Sequence, residues 1–108
     1  MKPNMQGMYK QVQKMQQEME RVQNELGSKT VTEEAGGGMV KATANGKKEL
    51  VTIDIDKEII QGGDKEMLED LVVAAVNKAL DTANKMAEDE MGKVTKNMLP
   101  PGFNLPGF

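Results

Sequence analysis

Apolar residues recur along this chain with two different periods, and each change of period marks an element boundary. From Met5 to Leu26 they fall at Met5, Met8, Val12, Met15, Met19, Val22 and Leu26, in steps of three and four. That is the a/d stripe of a heptad, a seam narrow enough to pack against one neighbouring helix. The positions between are mostly Gln, Lys and Glu, which favour helix. The pattern predicts a helix roughly 33 Å long. Gly27 follows it, where a left-handed C-cap is expected.

Shorter segments come next. Lys29 to Glu34 is polar and rich in Thr and Val, and reads as an edge strand. Gly36-Gly37-Gly38 breaks the chain as a turn or a close backbone crossing. Val40 to Ala44 and Lys47 to Asp56 then flank Asn45-Gly46, which predicts a hairpin closed by a two-residue type I′ turn. In that register Ala44 pairs with Lys47 and Val40 with Val51. Val40, Ala42, Val51, Ile53 and Ile55 then share an apolar face that helices or a second subunit must cover.

Gly62-Gly63 ends this unit, and Asp64 is a good N-cap for a second long helix. Glu66, Glu69 and Asp70 near its start suit the helix dipole. Between Met67 and Leu80 the apolar arc is wide, with Leu68, Leu71, Val72, Val73, Ala75, Val76 and Ala79. Beyond Ala83 it narrows to Met86, Ala87, Met91 and Val94. The Pro- and Gly-rich run from Met98 to Phe108 does not support a helix or a central strand. The expected fold is α+β in the order α-β-β-β-α, with a three-stranded antiparallel sheet and two long helices. Residues 1–97 form one domain in this reading, and 98–108 a flexible tail.

Composition narrows the function. The 108 residues include three aromatics, Tyr9, Phe103 and Phe108, so aliphatics, Met and Ala must form the core. A core this light in large side chains implies oligomerisation. There is no Cys and no His, which removes disulfides, thiolate metal sites and the usual general base. No catalytic residue, metal site or cofactor is expected, and no small-molecule substrate. No run reaches the roughly 18 apolar residues of a membrane span, and no signal peptide is read at the N-terminus. A cytoplasmic protein without a membrane partner is expected.

Net charge is −3 and the pI about 5.0, contrary to the usual basic footprint of a nucleic-acid binder. The distribution is uneven, however. Lys2, Lys10 and Lys14 precede the first acid, Glu18, so residues 1–17 carry +3. Lys85, Lys93 and Lys96 lie toward the end of the last helix, beside the acidic Glu88-Asp89-Glu90. If the two helical stripes pack antiparallel, both lysine sets reach the tip of one arm. The methionine stripe reads as core packing. The triple glycine lacks the Gly-Lys-Ser/Thr ending of a phosphate-binding loop.

Taken together, several strings resemble the YbaB/EbfC family of small bacterial nucleoid-associated proteins. They are the Met/Gln/Lys-rich stretch Met8 to Met19, Ala35-Gly36-Gly37-Gly38-Met39-Val40, Asn45-Gly46, the run Asp64 to Ala75, Met91-Gly92-Lys93 and the Pro/Gly-rich end. They span nearly the whole chain in order. The resemblance implies a homodimer with strands at its centre and helical arms projecting like tweezers. It implies binding of double-stranded DNA in the nucleoid, without enzymatic activity. On that reading Lys2, Lys10, Lys14, Lys85, Lys93 and Lys96 are the candidate DNA-contacting residues. The heptad and the acidic total leave a second reading, a coiled-coil protein-interaction scaffold that does not bind DNA.

Overall fold

The computed structural model describes residues 5–98. Its elements are α1 (Met5–Leu26), β1 (Thr30–Ala35), β2 (Val40–Asn45), β3 (Leu50–Ile55), α2 (Lys57–Gln61) and α3 (Lys65–Met98). The strands form one antiparallel sheet in the order β1-β2-β3, as the sequence pattern predicts.

Small residues let α3 press closely onto the sheet. Ala75, Ala79 and Ala83 recur every four residues and are fully buried, as are Val40, Ala42 and Ala44 of β2 facing them. Side chains of one to three carbons bring the backbones together, and Val31, Ala35, Ile55, Leu68, Leu71, Val72, Val76 and Leu80 seal the margins. The other sheet face is polar and exposed, with Thr32 and Thr43 joined hydroxyl to hydroxyl at 2.8 Å. Strand alternation therefore separates a dry face from a wet one.

Helix α3 lies over β1 and β2 and scarcely reaches β3. Leu50, Val51 and Ile53 on that edge strand remain 43%, 51% and 39% exposed. Ile60, Met67 and Val73 on the following helices are also exposed.

The hairpin departs from the expected register. Val40 pairs with Ile55 and Ala42 with Ile53, and an irregularity follows where Ala44 meets Leu50. Asn45 and Glu49 close a three-residue loop through Asn45 N–H to Glu49 O at 2.9 Å, and Lys48 N–H donates to Asn45 O at 3.0 Å. The left-handed residue is Lys48, at φ 62, rather than Asn45 or Gly46. The buried Asn45 side chain selects this geometry. Its Oδ1 accepts from Lys47 N–H at 2.9 Å and Glu49 N–H at 3.1 Å, and its Nδ2 donates to Glu49 Oε1 at 2.9 Å. Gly46 is required for close approach instead. A Cβ there would stand 2.7 Å from Leu26 Cβ, and Gly46 N–H donates to Leu26 O at 2.8 Å. The Gly36-Gly37-Gly38 segment is a turn, with all three φ angles positive.

The short α2 was not anticipated. Asp56 caps it by accepting Glu58 N–H at 2.9 Å, and it buries Ile59. Asp64 caps α3 as expected, its Oδ1 accepting from Met67 N–H at 3.0 Å. The helix runs 34 residues, and continues through Met98, past the predicted change at that residue. The remainder of the Pro/Gly-rich tail lies outside the described residues.

Past the sheet, α3 packs antiparallel on α1. Val22 and Leu26 bury with Val94, framed by Met19, Met86, Ala87 and Met91. This is the predicted heptad seam. Its root is fastened by the Gly46–Leu26 contact and by Lys29 Nζ to Glu90 Oε2 at 3.3 Å. The result is an arm on a thin body, with overall extents of 76 × 23 × 16 Å.

Candidate nucleic-acid interface

The two helices of the arm are staggered. Seventeen residues of α1 precede Val22, whereas four residues of α3 follow Val94. At 1.5 Å per residue, α1 projects about 20 Å beyond the described end of α3. The seam stripe continues along this projection without a described partner, and Met8 and Val12 are 64% and 53% exposed.

Lys10 and Lys14 belong to this projecting segment. Four residues apart, they share one helix face, turned away from the Met8–Met15–Met19 seam. Both are exposed, and neither has an ion pair among the described residues. The same face continues to Arg21, where its basic character ends. Arg21 is held by Glu18 and by Glu25, the latter at 2.5 Å. The bond to Arg21 lowers the Glu18 pKa, while the bonds to Glu18 and Glu25 raise that of Arg21.

The candidates on α3 divide. Lys96 is exposed in the last turn and has no ion pair among the described residues. Lys93 contacts Glu90 at 3.4 Å. Bonding to Lys29 first, and attraction to Lys93 after it, lowers the Glu90 pKa. Lys85 binds Asp81 at 3.3 Å. It lies at the arm's root, near the level where Ala87 meets Leu26 and the hairpin turn. Lys2 lies outside the described residues. The structure therefore brings Lys10 and Lys14 together, places Lys93 and Lys96 farther down the same arm, and separates Lys85 from them. Exposed pairs of the Lys85 and Lys93 kind are worth roughly 0–1 kcal/mol and exchange readily.

A groove of about 1060 Å³ follows the seam, lined by Met19, Met86, Met91 and the acids Glu88, Asp89 and Glu90. Lys93 and Lys96 stand on the same rim, so its charge is mixed, whereas the projecting face of α1 carries Lys10 and Lys14 without a bonded acid. A second basic point, Lys47 and Lys48 on the hairpin loop, was read from sequence as part of a strand. A paired-lysine loop beside Asn-Gly is the signal that could have found it. Among the described residues no group of His, Cys, Asp or Glu is placed to hold a metal ion, and no helix is long and apolar enough to cross a membrane.

A one-sided three-stranded sheet carrying an antiparallel helical arm with a basic projecting segment defines a small two-part α+β protein. The chain belongs to the YbaB/EbfC DNA-binding family, whose sequence profile matches residues 1–98. It is 53% identical over 105 residues to a nucleoid-associated protein of Caldanaerobacter subterraneus subsp. tengcongensis, covering 97% of this chain and 90% of that one. A nucleoid-associated protein of Pelotomaculum thermopropionicum is 53% identical over 100 residues, 93% of this chain and 95% of the relative. The fold is similar to the crystal structure of an uncharacterized protein from Helicobacter pylori, with a TM-score of 0.60 and 27% identity. That match covers 82% of this chain and 98% of the other.

Proposed function

We propose that the chain is a nucleoid-associated protein that binds double-stranded DNA as a homodimer, through the phosphate backbone and with weak sequence preference. Its cellular role on this reading is nucleoid organisation or gene regulation in the cytoplasm, without catalysis. The observation that carries the reading is the acid-free, unpaired Lys10–Lys14 face on a projecting helix of a chain from a DNA-binding family. Lys96 and Lys93 extend it, Lys2 adds to it from the sequence, and Lys85 contributes from the root. Lysines supply point charges to phosphates. Arg21, the one arginine, is engaged by two glutamates, so this face offers no free guanidinium for reading guanine.

The exposed Leu50, Val51 and Ile53 on β3, with Ile60 and Met67 nearby in sequence, support the dimer. Apolar side chains along an unpaired strand edge favour burial against a second copy. Ile53→Glu is expected to yield a folded monomer in sedimentation, and a stable dimer would displace this interface.

DNA binding is tested by fluorescence anisotropy on a roughly 30-base-pair duplex at two salt concentrations. Binding at low salt that collapses as salt rises is expected, because counterion release drives phosphate contact. No binding at low salt by protein shown to be dimeric would reject it. Exposure of Met8, Tyr9 and Val12 on the arm favours one other reading, a scaffold that grips a protein helix. Salt-insensitive partner binding that survives Lys10→Glu and Lys14→Glu would select it.

A further inference from the structure

We propose that the β2–β3 loop is a second phosphate anchor, in which Lys47 and Lys48 hold a nucleic-acid backbone at the root of the arm. The inference rests on the DNA-binding reading and assigns it a site separate from the projecting Lys10–Lys14 face.

The loop is rigid for its position. Asn45 is 7% exposed, and its side chain accepts from the backbone N–H groups of Lys47 and Glu49. Gly46 N–H bonds both Leu26 O at 2.8 Å and Lys29 O at 3.0 Å, which fastens the loop to the end of α1. Two exposed lysines are thus presented from a fixed support rather than from a mobile tip, so less freedom is lost on binding.

Neither lysine is neutralised. Among the described residues neither has an ion pair, and the carboxylates nearest the loop bond other groups while keeping their charge. Glu49 accepts from Asn45 Nδ2 at 2.9 Å, and Glu90 from Lys29 Nζ at 3.3 Å. The Lys47 side chain lies over Gly27, at the C-terminal end of α1.

Backbone conformation adds an independent observation. Lys48 sits at φ 62, where Gly or Asn is the low-energy choice and a long side chain is strained. Glycine would adopt this conformation without strain, so the fold itself does not call for a lysine here.

The loop does not extend the ridge at the tip. Lys47 and Lys48 border an open groove with Gln23 of α1. Gln23 and Lys14 are nine residues apart, two and a half helical turns, and therefore on opposite sides of α1. The loop lies about 18 Å along the arm from Lys14. The two lysine groups thus contact different phosphates, and their charges add to the salt dependence independently.

The test compares full-length wild type, Lys48→Gly, Lys47→Gln/Lys48→Gly and Lys10→Glu/Lys14→Glu for binding of a fluorescent 30-base-pair duplex across a salt series. Lys48→Gly should melt at or above the wild-type temperature, since glycine adopts the left-handed conformation freely, yet bind DNA about two- to fivefold more weakly at low salt. The double loop variant should flatten the slope of log affinity against log salt by roughly two per protomer. Wild-type affinity and slope in the double loop variant would overturn the anchor. In that event, loss of binding in Lys10→Glu/Lys14→Glu would leave the tip reading standing. Absence of wild-type binding at low salt would overturn both.

Discussion

The body and the arm of this protein are built from different side chains, and they hold together by different means. In the body, three alanines of α3 meet Val40, Ala42 and Ala44 of β2, and all six are fully buried. Nothing flexible separates these backbones, so any added atom must displace one. Along the arm the contact is a methionine-framed heptad seam, with Val22, Leu26 and Val94 buried and Met19, Met86 and Met91 partly so. Met is unbranched and tolerant of imperfect fit, and the seam ends before α1 does. The contrast separates a precise element that fixes the fold from a forgiving one that presents charge.

Ala79→Asp should break the body outright. A carboxylate at a fully buried position has no partner there, and a loss above about 4 kcal/mol is expected, seen as loss of cooperative melting by circular dichroism. Survival of a cooperative transition would mean that the helix–sheet contact is looser than its burial implies. Leu26→Ala removes a 3%-exposed side chain from the root of the arm, costing about 2–3 kcal/mol. Its effect should be local, with amide exchange rising along α1 and at the Lys65 half of α3 staying as it was. Met8→Ser should fall within about 0.5 kcal/mol of wild type in thermal melting, because its site is exposed.

The smallest effect concerns pH. Lys29 holds the Glu90 carboxyl below its ordinary 4.5. Because the folded value is the lower one, the stabilisation is complete above the ordinary value and is lost as pH falls through the lowered one. Acidification into that window should therefore loosen the arm root, and Glu90→Gln should remove that part of the slope in a pH series of melting curves. An unchanged slope would show that the Lys29–Glu90 pair contributes nothing measurable at this half-buried position.

Much of this architecture was legible because the relevant signals are local. The spacing from Met5 to Leu26 and the wide arc from Met67 to Leu80 reflect the faces that helices bury, and Asp64 caps the helix it precedes. The hairpin was legible in place but not in register. Asn-Gly suggested a two-residue turn through backbone preference, whereas the Asn45 side chain and the Gly46–Leu26 approach decide the loop. Both are contacts that only the folded chain supplies. The short α2 escaped notice because Asp56 caps a segment too brief to show periodicity, with Ile59 its one buried residue. At the candidate interface, the order of lysines and acids revealed the basic start of α1. The placement of Lys85 at the root depended on the stagger of two helices, which no local pattern encodes. Its bond to Asp81, four residues away, was by contrast readable from spacing.

The most direct test of the central claim is the affinity of Lys10→Glu/Lys14→Glu for duplex DNA at low salt, measured on protein whose circular dichroism matches wild type. A loss of about tenfold or more, with a flatter salt dependence, is the predicted result. Wild-type affinity and slope from a fully folded variant would contradict DNA contact by the projecting face of α1.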